Sequence, residues 1–397
     1  MPTTRLRATL TASTLTAATI LALVDATGAS AAPQAAAAAA PPGGSMVPIA
    51  PVRILDSRSS SPGGLLHGTV DPTRAMPGVP AGDIAAVLIN VTVVNARSAG
   101  YIRVGESAGT SNGNFVAGKP SATLALVPLS HSTALANYVP FEASTPVSVI
   151  ADVQGYVTTP AAATTSTFTS TGPTRAADSR TSAGLVRFAP AGTQLLDVRK
   201  RASLPANATA VVANVTIVKA TAATYVTAYP SGIGRPTAST VNAAAGATVA
   251  NRVVVPLGSD GRIALYNFAG RSDVLVDVVG YLSPSADGSY YTPATVVTRI
   301  ADHAGERQTL TPDVPGTSDL TTTAVWVSLA AASNAPGYLV AAPTVTLPSR
   351  TSDLNLVAGR AVANSGPVAL TSTGSFTVAS APTSRFVVDL DGFFQKA

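Results

Sequence analysis

One set of sequence landmarks recurs three times, in the same order, along this chain of 397 residues. Each copy opens with Arg-x-x-Asp, continues through an apolar run and an Asn-x-x-x-Gly segment, and closes with Asp-x-x-Gly-aromatic. Such a repeat restricts the fold more than composition does, because every copy must form the same supersecondary unit. The landmarks are Arg53, Asn114 and Asp152, then Arg175, Asn242 and Asp277, then Arg299, Asn355 and Asp389.

The landmarks divide the chain into repeat 1 (46–158), repeat 2 (168–283) and repeat 3 (289–397). Stretches rich in Thr, Ala and Pro, or in Ser, Pro and Gly, separate the repeats as linkers do. A signal peptide (1–31) and a Pro/Ala-rich spacer (32–45) precede them. Repeat 3 is shorter between its first Asp and its central strand, which predicts that a loop or a strand is lost there.

The pattern inside each repeat is that of short strands. Ala86–Val94 is apolar on both faces, as a central strand between two layers must be. Arg252–Leu257 and Arg262–Tyr266, on either side of a Gly-Ser-Asp-Gly turn, predict a hairpin. We therefore predict an all-β chain of three tandem repeats, each resembling a β-sandwich or jelly roll, with a small barrel as the alternative.

The N-terminus has the three parts of a secretory signal peptide. Arg5 and Arg7 precede an apolar stretch, and Ala29-Ser30-Ala31 provides a cleavage site. We expect cleavage after Ala31 or Ala32, a secreted product with association to the cell wall as one option, and no membrane span afterwards. Cysteine is absent, so disulfides and thiolate chemistry are excluded. The net charge of +5 comes from scattered arginines without a basic stripe, which argues against nucleic-acid binding.

Two landmarks of opposite charge recur in every repeat. The closing aspartate lies inside an apolar strand, where a buried carboxylate requires an arginine or a backbone amide as its partner. We predict a structural clasp that ties the first strand of each repeat to the last. The candidate pairs are Arg53 with Asp152, Arg175 with Asp277, and Arg299 with Asp389. A pair of glycosidase carboxylates is the alternative interpretation of these aspartates.

Tyr101, Tyr225 and Tyr338 hold matching places after the central strands. Each begins a strand, where core packing is the simplest role, but exposure at a loop edge would let them stack on sugar rings.

Asn90 and Asn214 stand in the central strands and are predicted to be buried amides bonded to neighbouring backbone. The landmark spacing places Trp326 at the same position in repeat 3.

One motif suggests catalysis. Gly105–Gly109 matches the Gly-x-Ser-x-Gly elbow of hydrolases, with Ser107 as the nucleophile, but turn-forming residues follow where that elbow needs a helix. His67, His131 and His303 occupy unrelated places without metal-ligand spacing. We predict no catalytic residue, no metal and no cofactor, and keep a serine hydrolase as an alternative.

The combined pattern resembles the tandem β-rich repeats of secreted and cell-surface proteins of high-GC Gram-positive bacteria. The resemblance implies an extracellular setting and an accessory role, often beside cell-wall hydrolase domains, and supplies no catalytic residue. It is carried by Pro51–Arg58, Val79-Pro80-Ala81, Asn-Val-Thr, Tyr229–Gly232, Val249-Ala250-Asn251, Val255-Pro256-Leu257 and Asp277–Tyr281.

The sequence thus predicts a non-catalytic extracellular protein whose repeats bind a cell-wall polymer, a glycan or a surface protein. Tandem copies would convert weak single sites into avidity. A purely architectural scaffold is the main alternative.

Overall fold

The structure, a computed structural model, describes residues 41–62, 64–106, 110–130, 137–317 and 321–397, apart from the side chains of 303–308. Residues 40–397 form one compact unit that holds all three repeats. In this described part, no helix has the length and apolar character needed to cross a membrane. The predicted signal peptide lies outside the described residues.

The chain is all-β, and its strands fall into three consecutive sets. Repeat 1 contains β1 (Met46–Asp56), β2 (Leu65–Val70), β3 (Ile84–Val94), β4 (Gly100–Val104), β5 (Gly113–Phe115), β6 (Ser121–Pro128) and β7 (Val139–Thr158). Repeat 2 contains β8 (Ser166–Asp178), β9 (Gly192–Leu196), β10 (Ala210–Val218), β11 (Thr224–Pro230), β12 (Val241–Ala243), β13 (Val249–Pro256), β14 (Ile263–Asn267) and β15 (Asp273–Pro284). Repeat 3 contains β16 (Tyr290–Leu310), β17 (Thr322–Ser333), β18 (Gly337–Ala342), β19 (Leu354–Leu356), β20 (Arg360–Ala369) and β21 (Thr377–Gln395).

Helical segments in the described residues are short. The helix α1 covers Val198–Arg201, and its first turn is capped by Asp197, which accepts from the backbone N–H of Lys200. The 3-10 segments are Pro72–Ala75, Ala81–Asp83, Pro160–Ala162 and Ser179–Thr181.

Repeat 2 shows the sandwich in its simplest form. Its inner sheet has the order β13-β10-β15-β8, and its outer sheet has the order β12-β11-β14-β9, with all neighbours antiparallel. The predicted hairpin is therefore wrong, because β13 and β14 pair with different strands in different sheets. The Gly258–Gly261 turn instead carries the chain from one layer to the other, with Gly261 at a φ of +76°.

Repeats 1 and 3 build the same two layers with longer strands. The 20-residue β7 pairs with β3 and β1 in the inner sheet and with β4 and β2 in the outer sheet. The 19-residue β21 does the same in repeat 3. There, β16 runs on into the outer sheet, where Leu310 pairs with Val378. Repeat 3 is thus shorter because its first strand crosses between the layers without the intervening loop.

Each sandwich has its own apolar core, and a further core joins the three. In β3, Val87, Ile89 and Val91 face the core of repeat 1, whereas Ala86 and Leu88 face the shared cluster. This explains why the central strands are apolar on both faces.

The shared cluster, called the central core below, contains sets of equivalent residues from all three repeats. By strand register, Leu88, Val212 and Trp326 are equivalent, because they pair with Gly155, Gly280 and Gly392. Edge strands β6, β13 and β20 also contact one another pairwise. The repeats therefore close around the central core and do not form a string. The other members are Met46, Ala86, Leu124, Leu126, Val157, Phe168, Ala210, Val254, Val279, Leu282, Tyr291, Ala324 and Phe394.

The end of the predicted spacer packs against this body. Gly44 and Tyr291 exchange backbone hydrogen bonds of 2.9 Å. Ser45 is fully buried, and its backbone N–H donates to Thr158 Oγ1 at 3.0 Å. Residues from 44 onward thus belong to the folded unit.

Candidate functional site

The arginine and aspartate landmarks meet across the first and last inner strands of each repeat. Arg53 and Asp152 are register partners on β1 and β7, and Arg53 Nε and Nη2 donate to the two carboxylate oxygens at 2.8 and 3.2 Å. Arg299 holds Asp389 in the same two-pronged way, at 2.8 and 3.3 Å. Arg175 binds Asp277 equivalently.

The aspartate of each clasp is buried. Asp152, Asp277 and Asp389 are at most 2% exposed. Burial raises the pKa of Asp152 and of Asp277, and the hydrogen bonds from the arginines oppose that rise. Both oxygens of each carboxylate accept hydrogen bonds from arginine. These aspartates are therefore not arranged as the acid and base of a glycosidase. Removing one partner of such a buried pair costs about 3–5 kcal/mol.

The Asp-Ser-Arg triplets extend the clasp. Asp56 accepts from Arg53 at 3.5 Å and from Arg58 Nη2 at 2.5 Å, and the hydrogen bond from Arg58 lowers the pKa of Asp56. Ser57 Oγ accepts from the backbone N–H of Val149 at 2.8 Å. Repeat 2 makes the equivalent contacts through Asp178, Ser179 and Arg180. The triplet is therefore part of the framework.

Asn90 and Asn214 are buried as predicted, but they bond residues of the next repeat and not neighbouring backbone. Asn90 Nδ2 donates to the Ser239 carbonyl at 2.7 Å, and Asn251 Nδ2 donates to Asn90 Oδ1 at 2.7 Å. We call this contact between repeats 1 and 2 seam 1–2. Arg53 Nη2 also reaches across it, to the Thr237 carbonyl at 3.3 Å.

Seam 2–3, between repeats 2 and 3, repeats this arrangement. Asn214 Nδ2 donates to the Ser352 carbonyl at 2.5 Å, and Asn364 Nδ2 donates to Asn214 Oδ1 at 3.0 Å. The buried Arg252 pairs with Asp353 across the same seam. Position 366, beside the Arg252 side chain, requires glycine, because a Cβ there would stand 2.5 Å from Arg252 Nε.

The sequence alignment of Trp326 with Asn90 and Asn214 is wrong by two residues. Ser328 is the residue that pairs with Asp389, as Asn90 pairs with Asp152 and Asn214 with Asp277. Trp326 lies instead in the central core. Seam 3–1, between repeats 3 and 1, therefore has a serine where the other seams have asparagine.

The three tyrosines lie at equivalent, half-buried positions on the outer sheets, facing Asn114, Asn242 and Asn355. Their neighbours differ. Arg103 lies over the Tyr101 ring at 5.1 Å, and Tyr338 Oη accepts from the backbone N–H of Ser349 at 2.9 Å.

Of these three tyrosines, Tyr225 alone has aromatic neighbours among the described residues. Its ring is stacked on Phe268, with centroids 4.7 Å apart and an interplanar angle of 11°. Tyr266 lies 6.3 Å away, and the exposed Arg235 lies 4.0 Å above the Tyr266 centroid. Phe268 is 49% exposed. We call Tyr225, Tyr266, Phe268 and Arg235 the aromatic platform.

Register explains why this platform is confined to repeat 2. Tyr266 pairs with Thr227, and the equivalent pairs are Glu142 with Arg103 in repeat 1 and Ala379 with Val340 in repeat 3. An ion pair and an alanine thus replace the second ring. Nothing in the local pattern around Tyr225 indicated the platform, because its members come from different strands and a loop.

The remaining sequence candidates do not converge in the described residues. Ser107 and His131 lie outside the described residues, as does the side chain of His303, and His67 is exposed. The part of the chain that the structure describes contains no group of three His, Asp or Glu side chains able to hold a metal.

No family model and no curated protein matches this chain. Among solved structures, it is similar to one described as the atomic structure of Sulfolobus Turreted Icosahedral Virus, with 10% identity over 79% of this chain and 80% of that chain and a TM-score of 0.16. A second, titled for the triple jelly roll fold and turret assembly in an archaeal virus, has 10% identity over 89% and 90% and a TM-score of 0.17. Similarity at this level does not extend to function.

Proposed function

We propose that this chain is a non-catalytic extracellular protein that binds a glycan of the cell envelope over the aromatic platform of repeat 2. The observation that carries the proposal is the half-exposed ring of Phe268, stacked on Tyr225 beside Tyr266 and Arg235. Exposed apolar patches that are rimmed by polar groups are typical of binding surfaces.

The chemistry of the platform suits a sugar. Aromatic rings present apolar faces against which the C–H face of a pyranose packs, and Tyr hydroxyls add hydrogen-bonding groups. Arg235 donates to Tyr225 Oη at 3.5 Å, so its guanidinium is held beside the rings. The Tyr225 and Phe268 rings are already stacked in the free chain, which reduces the entropy lost on association.

A binding assay on purified envelope polymers and a glycan array tests the proposal. We expect Phe268→Ala and Tyr225→Ala to weaken retention on the bound glycan by about tenfold, as the loss of one stacked ring would. Tyr101→Ala is the matched control, because this residue holds the equivalent position without a second ring. Equal retention of all three variants would contradict the proposed site.

The extracellular part of the proposal rests on the N-terminal sequence. Arg5, Arg7 and the apolar stretch after them predict export, with cleavage after Ala31 or Ala32. The intact mass of protein recovered from culture medium measures this directly. An intracellular product that retains Met1 would contradict it.

A scaffold without a small ligand is the second candidate, and the central core favours it because three repeats bury equivalent residues in one cluster. Failure of the wild-type protein to bind any envelope polymer would select this alternative. The hydrolase alternative has its own test, an esterase assay in which Ser107→Ala abolishes turnover.

A further inference from the structure

Seam 3–1 contains an open groove of about 550 Å³. It lies between the end of β6 in repeat 1 and the first part of β16 in repeat 3, with Asp391 of β21 at its wall. We call it the seam groove. Its described lining consists of Val104, Gly105, Glu106, Thr110, Asn112, Leu126–Ser130, Ala294–Val297 and Asp391.

The equivalent place at seam 2–3 is closed. There, Thr171, Pro173 and Val279 of repeat 2 meet Pro343 and residues 367–369 of repeat 3, around a cavity of only about 10 Å³. Val279 and Asp391 are equivalent, since each follows its clasp aspartate by two residues. An apolar side chain thus fills the closed site, whereas a carboxyl group lines the open one.

Seam 1–2 uses the same position differently. Gln154 follows Asp152 by two residues, and its Oε1 accepts from the backbone N–H of Val254 at 3.3 Å. The side chain at this position therefore joins two repeats in seam 1–2, packs in seam 2–3, and borders a groove in seam 3–1.

Asp391 is surrounded by neutral donors and other acids. Its Oδ2 accepts from Ser328 Oγ at 2.8 Å, and Tyr291 Oη donates to its backbone carbonyl at 3.0 Å. Desolvation raises the pKa of Asp391 to about 8, with a smaller contribution from the charge of Asp389. Glu106 adds a second carboxylate to the lining, held by Tyr138 Oη at 3.1 Å.

The described lining includes no lysine or arginine, so a negative charge on Asp391 meets no opposite charge there. A half-buried carboxylate without an opposite charge beside it is stabilised most by a cation that makes a direct, charge-assisted hydrogen bond. The rest of the groove offers aliphatic walls, including Val296, which is 72% exposed.

We propose that the seam groove binds the ammonium group of a primary alkylamine ligand, with Asp391 as its anionic partner. The alkyl portion packs along Leu126, Val127 and Val297, and Glu106 adds longer-range attraction from the rim. This site is independent of the aromatic platform, which lies on the outer sheet of repeat 2.

Calorimetric titration of the full chain with pentylammonium tests the proposal, with 1-pentanol as a neutral ligand of the same shape. We expect pentylammonium to bind at least about tenfold more tightly than 1-pentanol, because only the cation pairs with Asp391. Between about pH 6 and pH 7 its affinity rises by up to about tenfold, since binding must displace the Asp391 proton while the amine stays charged.

Variants sharpen the test. Asp391→Asn should weaken pentylammonium binding by at least about tenfold and abolish its pH dependence. Asp313→Asn, which removes the same charge from an exposed site, and Phe268→Ala, which removes the glycan platform, should leave it unchanged. Equal binding of the amine and the alcohol by the wild type would overturn the proposal. So would wild-type affinity in Asp391→Asn, or no amine binding at about 10 mM ligand.

Discussion

Seams 1–2 and 2–3 are built alike, and seam 3–1 is not. In the first two, an asparagine of one central strand bonds both a backbone carbonyl and a second asparagine of the next repeat. In seam 3–1, Ser328 bonds Asp391 within its own repeat, and Thr123, equivalent to Asn251 by register, donates to the Asn112 carbonyl of its own repeat.

The comparison separates contacts that all three repeats keep from contacts that differ between the seams. The clasp recurs in all three repeats because each sandwich needs its first and last strands tied. The contacts between repeats are freer to diverge, since the central core already holds the body together. Where the asparagine pair is absent, the seam carries a groove with an acidic wall.

The largest expected effect on stability comes from a substitution in the central core, which all three repeats share. Trp326→Ala would leave a cavity in the central core and should lower the free energy of unfolding by about 3–5 kcal/mol. Because the repeats share this core, chemical denaturation should still show one transition. A separate transition for repeat 3, with repeats 1 and 2 unaffected, would show that the repeats fold independently.

Removing one asparagine of the pair in seam 2–3 tests the comparison directly. Asn214→Ala removes the donor to the Ser352 carbonyl and one acceptor of Asn364 Nδ2, which should cost about 2–3 kcal/mol on denaturant unfolding. Ser328→Ala at the equivalent position of repeat 3 should cost about 1 kcal/mol, because its single hydrogen bond stays within one repeat. Equal losses would mean that the two kinds of seam do not differ energetically.

The sequence was informative where a pattern recurs and uninformative where contacts join distant strands. Arg53 and Asp152 could be matched because both recur in every copy and stand in strands at opposite ends of a repeat. Trp326 was misplaced because a shift of two residues keeps every side chain of a strand on the same face. Asn90 and Asn251 lie in different repeats, and no periodicity relates them. The aromatic platform depends on Tyr266 and Phe268, which follow no landmark.

Seam 3–1 should also differ from the others in its response to pH. The pKa of Asp391 is raised to about 8 in the folded chain, above its ordinary value of 3.8, so its contribution to stability is complete below about pH 4 and is lost as the pH rises through 8. Between about pH 5 and pH 7, we expect wild-type stability to fall by about 2–3 kcal/mol relative to Asp391→Asn. Parallel pH curves for the two proteins would contradict this.

The smallest effect concerns an arginine that repeats 1 and 2 carry and that the sequence of repeat 3 replaces. Arg58 and Arg180 stand two residues after the aspartates of their triplets and bond them, whereas Ala304 stands two residues after Asp302 in repeat 3. Arg58 is half exposed, so Arg58→Ala should cost less than about 1 kcal/mol at neutral pH, and less in high salt.

The effect of Arg58→Ala on stability should depend on pH, and the direction of that dependence can be measured. The hydrogen bond from Arg58 lowers the pKa of Asp56, so its stabilisation is present above about pH 4 and disappears as the pH falls and Asp56 takes up a proton. The stabilities of the wild type and Arg58→Ala should therefore converge in acid, as measured by thermal unfolding over a pH series. Ala304→Arg would supply the missing charge in repeat 3, and stabilisation that appears only above about pH 4 would show that the triplet acts alike in all three repeats.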